Sequence, residues 1–182
     1  EDTLRSVRAL LDATPLKVAF VLVDNGSTTF DAHALARRYV SGAITVLRDD
    51  NYGFGNSCNR GAREVYADYY FFLNPDTRVD DASMLTKLHA FIRSYPRVGI
   101  VAPKILYPDG SLQETCRRFP AWFTPVAQRT AILKPKVTAA HRAEFLMKDF
   151  SHDKRRLVDW VQGSAFMIDA KLFHELGGFD ER

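Results

Sequence analysis

Three clusters of polar residues in this chain have the types and placement to handle an anionic ligand. Asp24-Asn25-Gly26-Ser27, the stretch Asn51 to Asn59, and Asn74-Pro75-Asp76 each follow an apolar run. Any one of them has the composition of an ordinary turn, since Asn, Asp, Gly, Pro and Ser are the residues turns favour. Three at successive strand ends say more, because ligands of parallel α/β sheets sit beyond the carboxyl ends of the strands. A carboxylate at Asp76 can take a hard divalent cation such as Mg²⁺, which binds one or two protein carboxylates and completes its shell with phosphate oxygens. The competing reading is a turn or cap before the next helix, a role that Asp80 or Asp81 can also fill. The loop from Asn51 to Gly61 is rich in small residues and runs into a helix. Its backbone can approach a phosphate at the positive end of that helix, with Arg60 as a further partner. Cys58 stands where a dinucleotide fingerprint needs its third glycine, and no Gly-Lys-Ser/Thr loop occurs. NAD(P) and P-loop chemistry are thereby excluded.

The elements that must position these clusters follow from periodicity. Leu4, Val7, Leu10 and Leu11 predict an amphipathic helix over 3–13 that Pro15 ends. Val18 to Val23 is a β-branched apolar run, the mark of a strand buried on both faces. A helix over Asp31 to Val40, a strand over Ile44 to Leu47, a helix over Asn56 to Tyr66 and an aromatic strand over Tyr69 to Leu73 come next. The helix over Ala82 to Ile92 and the strand over Val98 to Ala102 complete an alternation that implies an α/β domain with a mostly parallel sheet. Beyond Pro103 the pattern changes. Residues 105–112 predict a β-hairpin turning at Pro108-Asp109-Gly110, residues 119–157 are irregular with weak helical patches, and Val158 to Ile168 is strand-like. Ala170 to Leu176 predicts a short helix ending at Gly177-Gly178. The reading is a single domain over 1–182, with residues 1–102 on the nucleotide side and 103–182 less regular.

With 46% hydrophobic residues in a chain of 182, a substantial core is available and intrinsic disorder is excluded. The net charge of +3 is too small and too dispersed to argue for nucleic acid, and the short clusters at Lys134-Pro-Lys136 and Lys154-Arg155-Arg156 read as solvated surface. Cys58 and Cys116 cannot build a disulfide framework, which fits a reducing, cytoplasmic setting. The longest apolar run, about six residues, is far short of the roughly 20 that span a bilayer, and the opening residues do not read as a signal peptide. His33, His89, His141, His152 and His174 lack metal spacing, and Ser164 lacks the second glycine of a nucleophile elbow.

The order and spacing of Val23-Asp24-Asn25-Gly26-Ser27, Asn51-Tyr-Gly-Phe-Gly55, Asn59-Arg60-Gly61 and Phe72-Leu73-Asn74-Pro75-Asp76 resemble family 2 glycosyltransferases. Trp160-Val-Gln-Gly-Ser-Ala-Phe-Met-Ile168 and Phe173 to Glu181 resemble that family's acceptor-side region. The resemblance implies a GT-A fold, Rossmann-like, with a small hairpin-bearing acceptor-side region. It also implies inverting transfer of a sugar from a nucleotide diphosphate donor, in cell-wall or surface polysaccharide synthesis. Carried over, Asp24, Asn25 and Ser27 form the base pocket; Asn51, Gly53, Asn59 and Arg60 line the nucleoside and phosphate region. Asn74 replaces the first acid of an Asp-x-Asp-like motif, and Asp76 coordinates Mg²⁺ or Mn²⁺. Trp160 and Gly163 fall on the acceptor side. The segment from Asp109 to Pro120 is similar to the rhamnosyltransferase-like branch, which implies a dTDP-sugar, with UDP-sugars as the alternative donor. A saccharide or lipid-linked acceptor follows, with peripheral association at the inner face of a membrane.

Two departures shape the expectations. The family opens with a strand that this chain lacks, and its acidic pair carrying the catalytic base is expected beyond Arg182, so the chain reads as cut at both ends. Asp180 and Glu181 are the nearest candidates for a base, which inverting transfer needs beside the acceptor hydroxyl. Alternatives are a donor-binding or degenerate module without turnover and a sugar nucleotidyltransferase, although the Gly-rich basic loop of the latter is missing. Acceptor, linkage and oligomeric state are not legible in the sequence.

Overall fold

The computed structural model describes residues 1–119 and 142–181. In chain order the elements are α1 (Asp2–Ala13), β1 (Val21–Asp24), α2 (Ala32–Tyr39), β2 (Ile44–Leu47), α3 (Phe54–Ala62), β3 (Tyr69–Leu73) and α4 (Met84–Ser94). They continue with β4 (Ile100–Val101), β5 (Ile105–Leu106), β6 (Leu112–Gln113), β7 (Cys116–Arg117), β8 (Trp160–Val161), β9 (Ala165–Asp169) and α5 (Ala170–Glu175). They fall into two compact units, 1–101 with 165–182, and 102–164. Residues 165–182, read from the sequence with the back half, thus pack with the first 101. Among the described residues no helix is long and apolar enough to cross a membrane. Lys134-Pro-Lys136, His141 and Pro120 lie outside the described residues, as does the middle of the stretch read as irregular.

The α/β alternation is borne out, and the strand pairing adds detail to it. β1 and β2 pair in parallel, Val21 opposite Ile44 and Asp24 opposite Leu47. β3 and β4, by contrast, do not pair with each other: β9 lies between them and runs antiparallel to both. β9 is also the strand buried most fully, with Ala165 to Ile168 all buried, whereas β1 is half-buried along its length and starts three residues later than its apolar run predicts. The pairing explains the reversal, because a central strand with neighbours on both edges is covered where a strand with one partner is not. The long run read over 158–168 is interrupted at Gly163 and Ser164, between β8 and β9.

The core forms where the helical stripe of α1 meets α4. Leu10, Leu85, Leu88, Ile92 and Met167 are buried together, with Leu16, Val98 and Val101 packed around them. Leu4, Val7 and Leu10 supply the buried face of α1 at helical spacing. Termini of the helices are set locally. The Asp31 carboxylate accepts from Ala34 N–H at 2.9 Å and caps α2, and Asp169 does the same for α5 through Leu172 N–H at 2.9 Å. Replacing Asp31 by alanine should therefore cost about 1 kcal/mol in denaturant unfolding, with an unchanged m-value.

In the second unit β5 and β6 form the predicted hairpin, and β7 pairs with β8. Asp109 accepts from both the backbone N–H and the hydroxyl of Ser111, at 2.9 and 2.6 Å, and Gly110 supplies the positive φ of 83° that the turn needs.

Candidate functional site

The loops that follow β1 and β2 are interlocked. Asn25 Nδ2 donates to Asn51 Oδ1 at 2.5 Å, Asn51 Oδ1 also accepts from Gly53 N–H at 3.0 Å, and Asn25 Oδ1 accepts from Tyr52 N–H at 3.2 Å. Asp24 turns the first loop by accepting from Ser27 N–H at 3.2 Å. Gly26 has φ 85°, and a Cβ there would lie 2.9 Å from the Asp50 carbonyl carbon, so only glycine lets the loops meet. Parallel pairing brings the ends of β1 and β2 to one sheet edge, and Asp24, Asn25, Ser27, Asn51 and Gly53 are gathered there.

α3 starts directly from this junction. Its N-cap is Gly53 at φ 83°, so the helix begins at Phe54, two residues before the start that the sequence suggests. The small residues of the motif have packing reasons that the sequence did not show. A Cβ on Gly55 would lie 3.0 Å from Phe179 Cβ, and one on Gly61 would lie 2.9 Å from Val23 Cγ2 in β1. Arg60, exposed on α3, pairs with Glu64 at 2.7 Å. Asn59 is 5% exposed and bonded to Phe179 and Glu181. Cys58 sits on the same helix, and burial pushes its thiol up to about 12. Alkylation of Cys58 in the folded protein at pH 8 should be at least about 10-fold slower than in denaturant, measured by mass spectrometry.

Asn74-Pro75-Asp76 leaves β3 in a short turn closed by Thr77 N–H on Asn74 O at 3.0 Å. α1 holds this turn, a role not foreseen for it. Thr3 Oγ1 donates to Pro75 O at 2.6 Å, and the buried Ser6 hydroxyl accepts from Val79 N–H at 3.1 Å. Asp80 pairs with Arg78 at 2.7 Å, and Asp81 accepts from Ser83 and Lys87, which hold its carboxyl down at about 2. The turn ahead of α4 is thus built by Asp81. Asp76 is exposed, and among the described residues no basic side chain forms an ion pair with it. Nor do three or more His, Cys, Asp or Glu side chains gather anywhere among the described residues. Such a donor set fits a hard cation shared with a ligand's phosphates and does not fit one held by protein alone.

Two further groups were missed by the sequence reading. Arg48, at the end of β2, lies with its guanidinium 4.2 Å over the Tyr52 ring and donates to Asn56 Oδ1 at 2.5 Å. Phe179 packs against Phe54, Phe72, Phe166 and Phe173 at centroid distances of 5.5 to 6.1 Å, joining α3, β3, β9 and α5. The i, i+3 spacing of Asn56 and Asn59 was the available signal. In the second unit Trp160 is 39% exposed, donates from Nε1 to Arg118 O at 3.2 Å and lies beside Arg117; Gly163 is in the connection after β8. Arg118 itself meets Glu144 and Asp149, each at 3.6 Å.

Comparison with known proteins bears on this arrangement. The chain is 30% identical over 194 aligned positions to N-acetylglucosaminyl-diphospho-decaprenol L-rhamnosyltransferase of Mycobacterium tuberculosis, covering 98% of this chain and 60% of that protein. It is 27% identical over 171 positions to the O-antigen biosynthesis protein RfbC of Myxococcus xanthus, covering 89% of this chain and 12% of that protein. The chain therefore spans about three-fifths of the first relative and a small part of the second. The mannosyltransferase PcManGT of Pyrobaculum calidifontis, solved with GDP-Man and Mn²⁺, matches at a TM-score of 0.58 and 15% identity, over 100% of this chain and 45% of that one. The fold is GT-A, as the resemblance implied. The family model for glycosyl transferase family 2 matches residues 1–156, and the chain belongs to that family.

Proposed function

We propose that this chain binds the nucleoside diphosphate of an activated sugar at the interlocked β1 and β2 loops and belongs to an inverting glycosyltransferase. The observation that carries the reading is the Asn25–Asn51 bond, which fixes two strand-end loops into one polar surface at the sheet edge. Asp24, Asn25 and Ser27 form the base-facing side, with Asn51 and Gly53 toward the ribose and phosphates. Asp76, with Asn74 beside it, would hold Mg²⁺ or Mn²⁺, which when bound would supply Lewis-acid stabilisation of the leaving nucleotide. The Mn²⁺ in the mannosyltransferase complex supports a divalent ion of this kind. α1 serves that step by pinning the turn around Asp76 through Thr3 and Ser6.

The transferred sugar is rhamnose, from dTDP-rhamnose, and the acceptor is a lipid-linked saccharide in cell-wall or surface polysaccharide synthesis. The mycobacterial relative, a rhamnosyltransferase by name whose acceptor is decaprenol-linked, supports the transferred sugar and the lipid-linked acceptor, and we assign the chain to peripheral association with the cytoplasmic face of a membrane. Trp160 and Gly163 are assigned to the acceptor. Of the two acids near the acceptor-side turn, both oxygens of Glu181 already accept hydrogen bonds from Asn56 and Asn59, so we give it a holding role.

The test is calorimetric titration with dTDP and UDP, with and without Mn²⁺, followed by transfer from dTDP-rhamnose. Metal-stimulated binding of dTDP and turnover support the reading. No nucleotide binding overturns it, and binding without transfer points to a non-catalytic donor module.

A further inference from the structure

The face of α3 opposite β1 carries a polar cluster that the donor reading does not use. Asn59 grips the backbone of Phe179 at both ends. Its Oδ1 accepts from Phe179 N–H at 2.8 Å, and its Nδ2 donates to Phe179 O at 2.9 Å. The carboxamide pairs with this residue as a neighbouring strand would, and Phe179's own donor and acceptor dictate its orientation. The same Nδ2 donates to Glu181 Oε1 at 2.7 Å. Asn56, one turn earlier, donates to Glu181 Oε2 at 2.6 Å, and Arg63, one turn later, stands 3.9 Å from Oε1. Three side chains at i, i+3 and i+7 on one helical face therefore converge on a single carboxylate.

This cluster runs on into the loop junction. Asn56 receives a hydrogen bond from Arg48, and Arg48 stacks on Tyr52, whose backbone N–H is held by Asn25. A continuous path of named contacts thus joins the β1 and β2 loops to the turn over 177–181. Asn59 is buried with both of its N–H donors engaged and its carbonyl oxygen bonded to Phe179 N–H, so no donor is left for a nucleotide.

We infer that Asn59, together with Asn56, is a positioning clamp that fixes the turn over 177–181 to the donor-side helix, and that Asn59 is not itself a donor ligand. The inference rests on the transferase reading for its kinetic consequence and on the contacts alone for its structural one. Replacing Asn59 by aspartate keeps the shape and sets a carboxylate against Phe179 O and Glu181. Replacing Glu181 by glutamine in the same chain removes the repulsion between the two carboxylates and returns an N–H donor to that pair, leaving only the contact with Phe179 O unrelieved.

The experiment uses the full protein and four variants: unaltered, Asn59→Asp, Glu181→Gln and the double Asn59→Asp/Glu181→Gln. Affinity for dTDP with Mn²⁺ should stay within about twofold throughout. Turnover from dTDP-rhamnose should fall roughly 10–100-fold in Asn59→Asp, as expected for losing charge-assisted hydrogen bonds, and recover at least in part in the double variant. Loss of dTDP affinity in step with turnover, without recovery, overturns the clamp and makes Asn59 a donor ligand. Should the unaltered protein bind no nucleotide, the transferase reading fails, and thermal melting of the same four proteins still judges the clamp. A double variant melting higher than the two single shifts add up to supports it, and strict additivity overturns it.

Discussion

Replacing Asp76 by alanine is expected to remove the stimulation of nucleotide binding by Mn²⁺ and to lower transfer by about 10²–10³-fold, the several kcal/mol that charge stabilisation of a leaving diphosphate supplies. The size follows from the donor set. No group of three or more metal-ligating side chains exists among the described residues, so loss of Asp76 leaves no preassembled protein ligand set to hold the ion. Folding should be little affected, because Asp76 is exposed and the turn is held through Pro75 O, Asn74 O and Val79 N–H, none of which belongs to the Asp76 side chain. Asp80→Ala is the matched control. It removes a carboxylate four residues away that is committed to Arg78, and metal-stimulated binding should persist. Asn74→Asp completes the pair of acids and should tighten Mn²⁺. Equal behaviour of Asp76→Ala and Asp80→Ala in calorimetry would remove Asp76 from the site.

What the sequence could and could not reveal divides along physical lines. β2 and β3 were legible to the residue, because short β-branched or aromatic runs bounded by turn residues leave little freedom in their ends. The two strand-end loops were legible for the same reason, since Asp24 to Ser27 and Asn51 to Gly53 advertise turns. The partnerships between them were not. That Asn25 meets Asn51, or that β9 slips between β3 and β4, depends on residues distant in the chain. Glycines misled most. Gly55 and Gly61 look like phosphate-approach residues by type, yet their lack of a side chain accommodates Phe179 and Val23. α1 gives the converse case: its apolar stripe announced a buried helix, while Thr3 and Ser6, which hold the turn around Asp76, share its buried side as polar residues that an apolar pattern does not single out.

Gly178 concentrates two demands that each exclude a side chain, and Gly178→Ala should be the most destabilising single-methyl addition among the glycines described. Its φ is 80°, where an L-residue other than glycine costs about 1–2 kcal/mol. A Cβ there would also lie 2.4 Å from Asn59 Oδ1 and 3.0 Å from Asn59 Cγ. Asn59 cannot swing clear without releasing Phe179 N–H, Phe179 O and Glu181, and each buried polar group left unpaired costs about 1–3 kcal/mol. With one of these groups released, the sum is about 2–5 kcal/mol, which corresponds to a fall in melting temperature of roughly 10 °C for a chain of this size. Gly177 separates the two demands. It has nearly the same φ, 79°, but nothing lies within 4 Å of the added Cβ, so Gly177→Ala should show the backbone cost alone. Truncating the obstacle supplies the second control: in an Asn59→Ala background the methyl at 178 has room, and the further loss from Gly178→Ala should shrink to the Gly177→Ala value. Equal melting shifts for Gly177→Ala and Gly178→Ala would mean that Asn59 does not stand against this turn, and the contact that orders residues 177–181 would have to lie elsewhere.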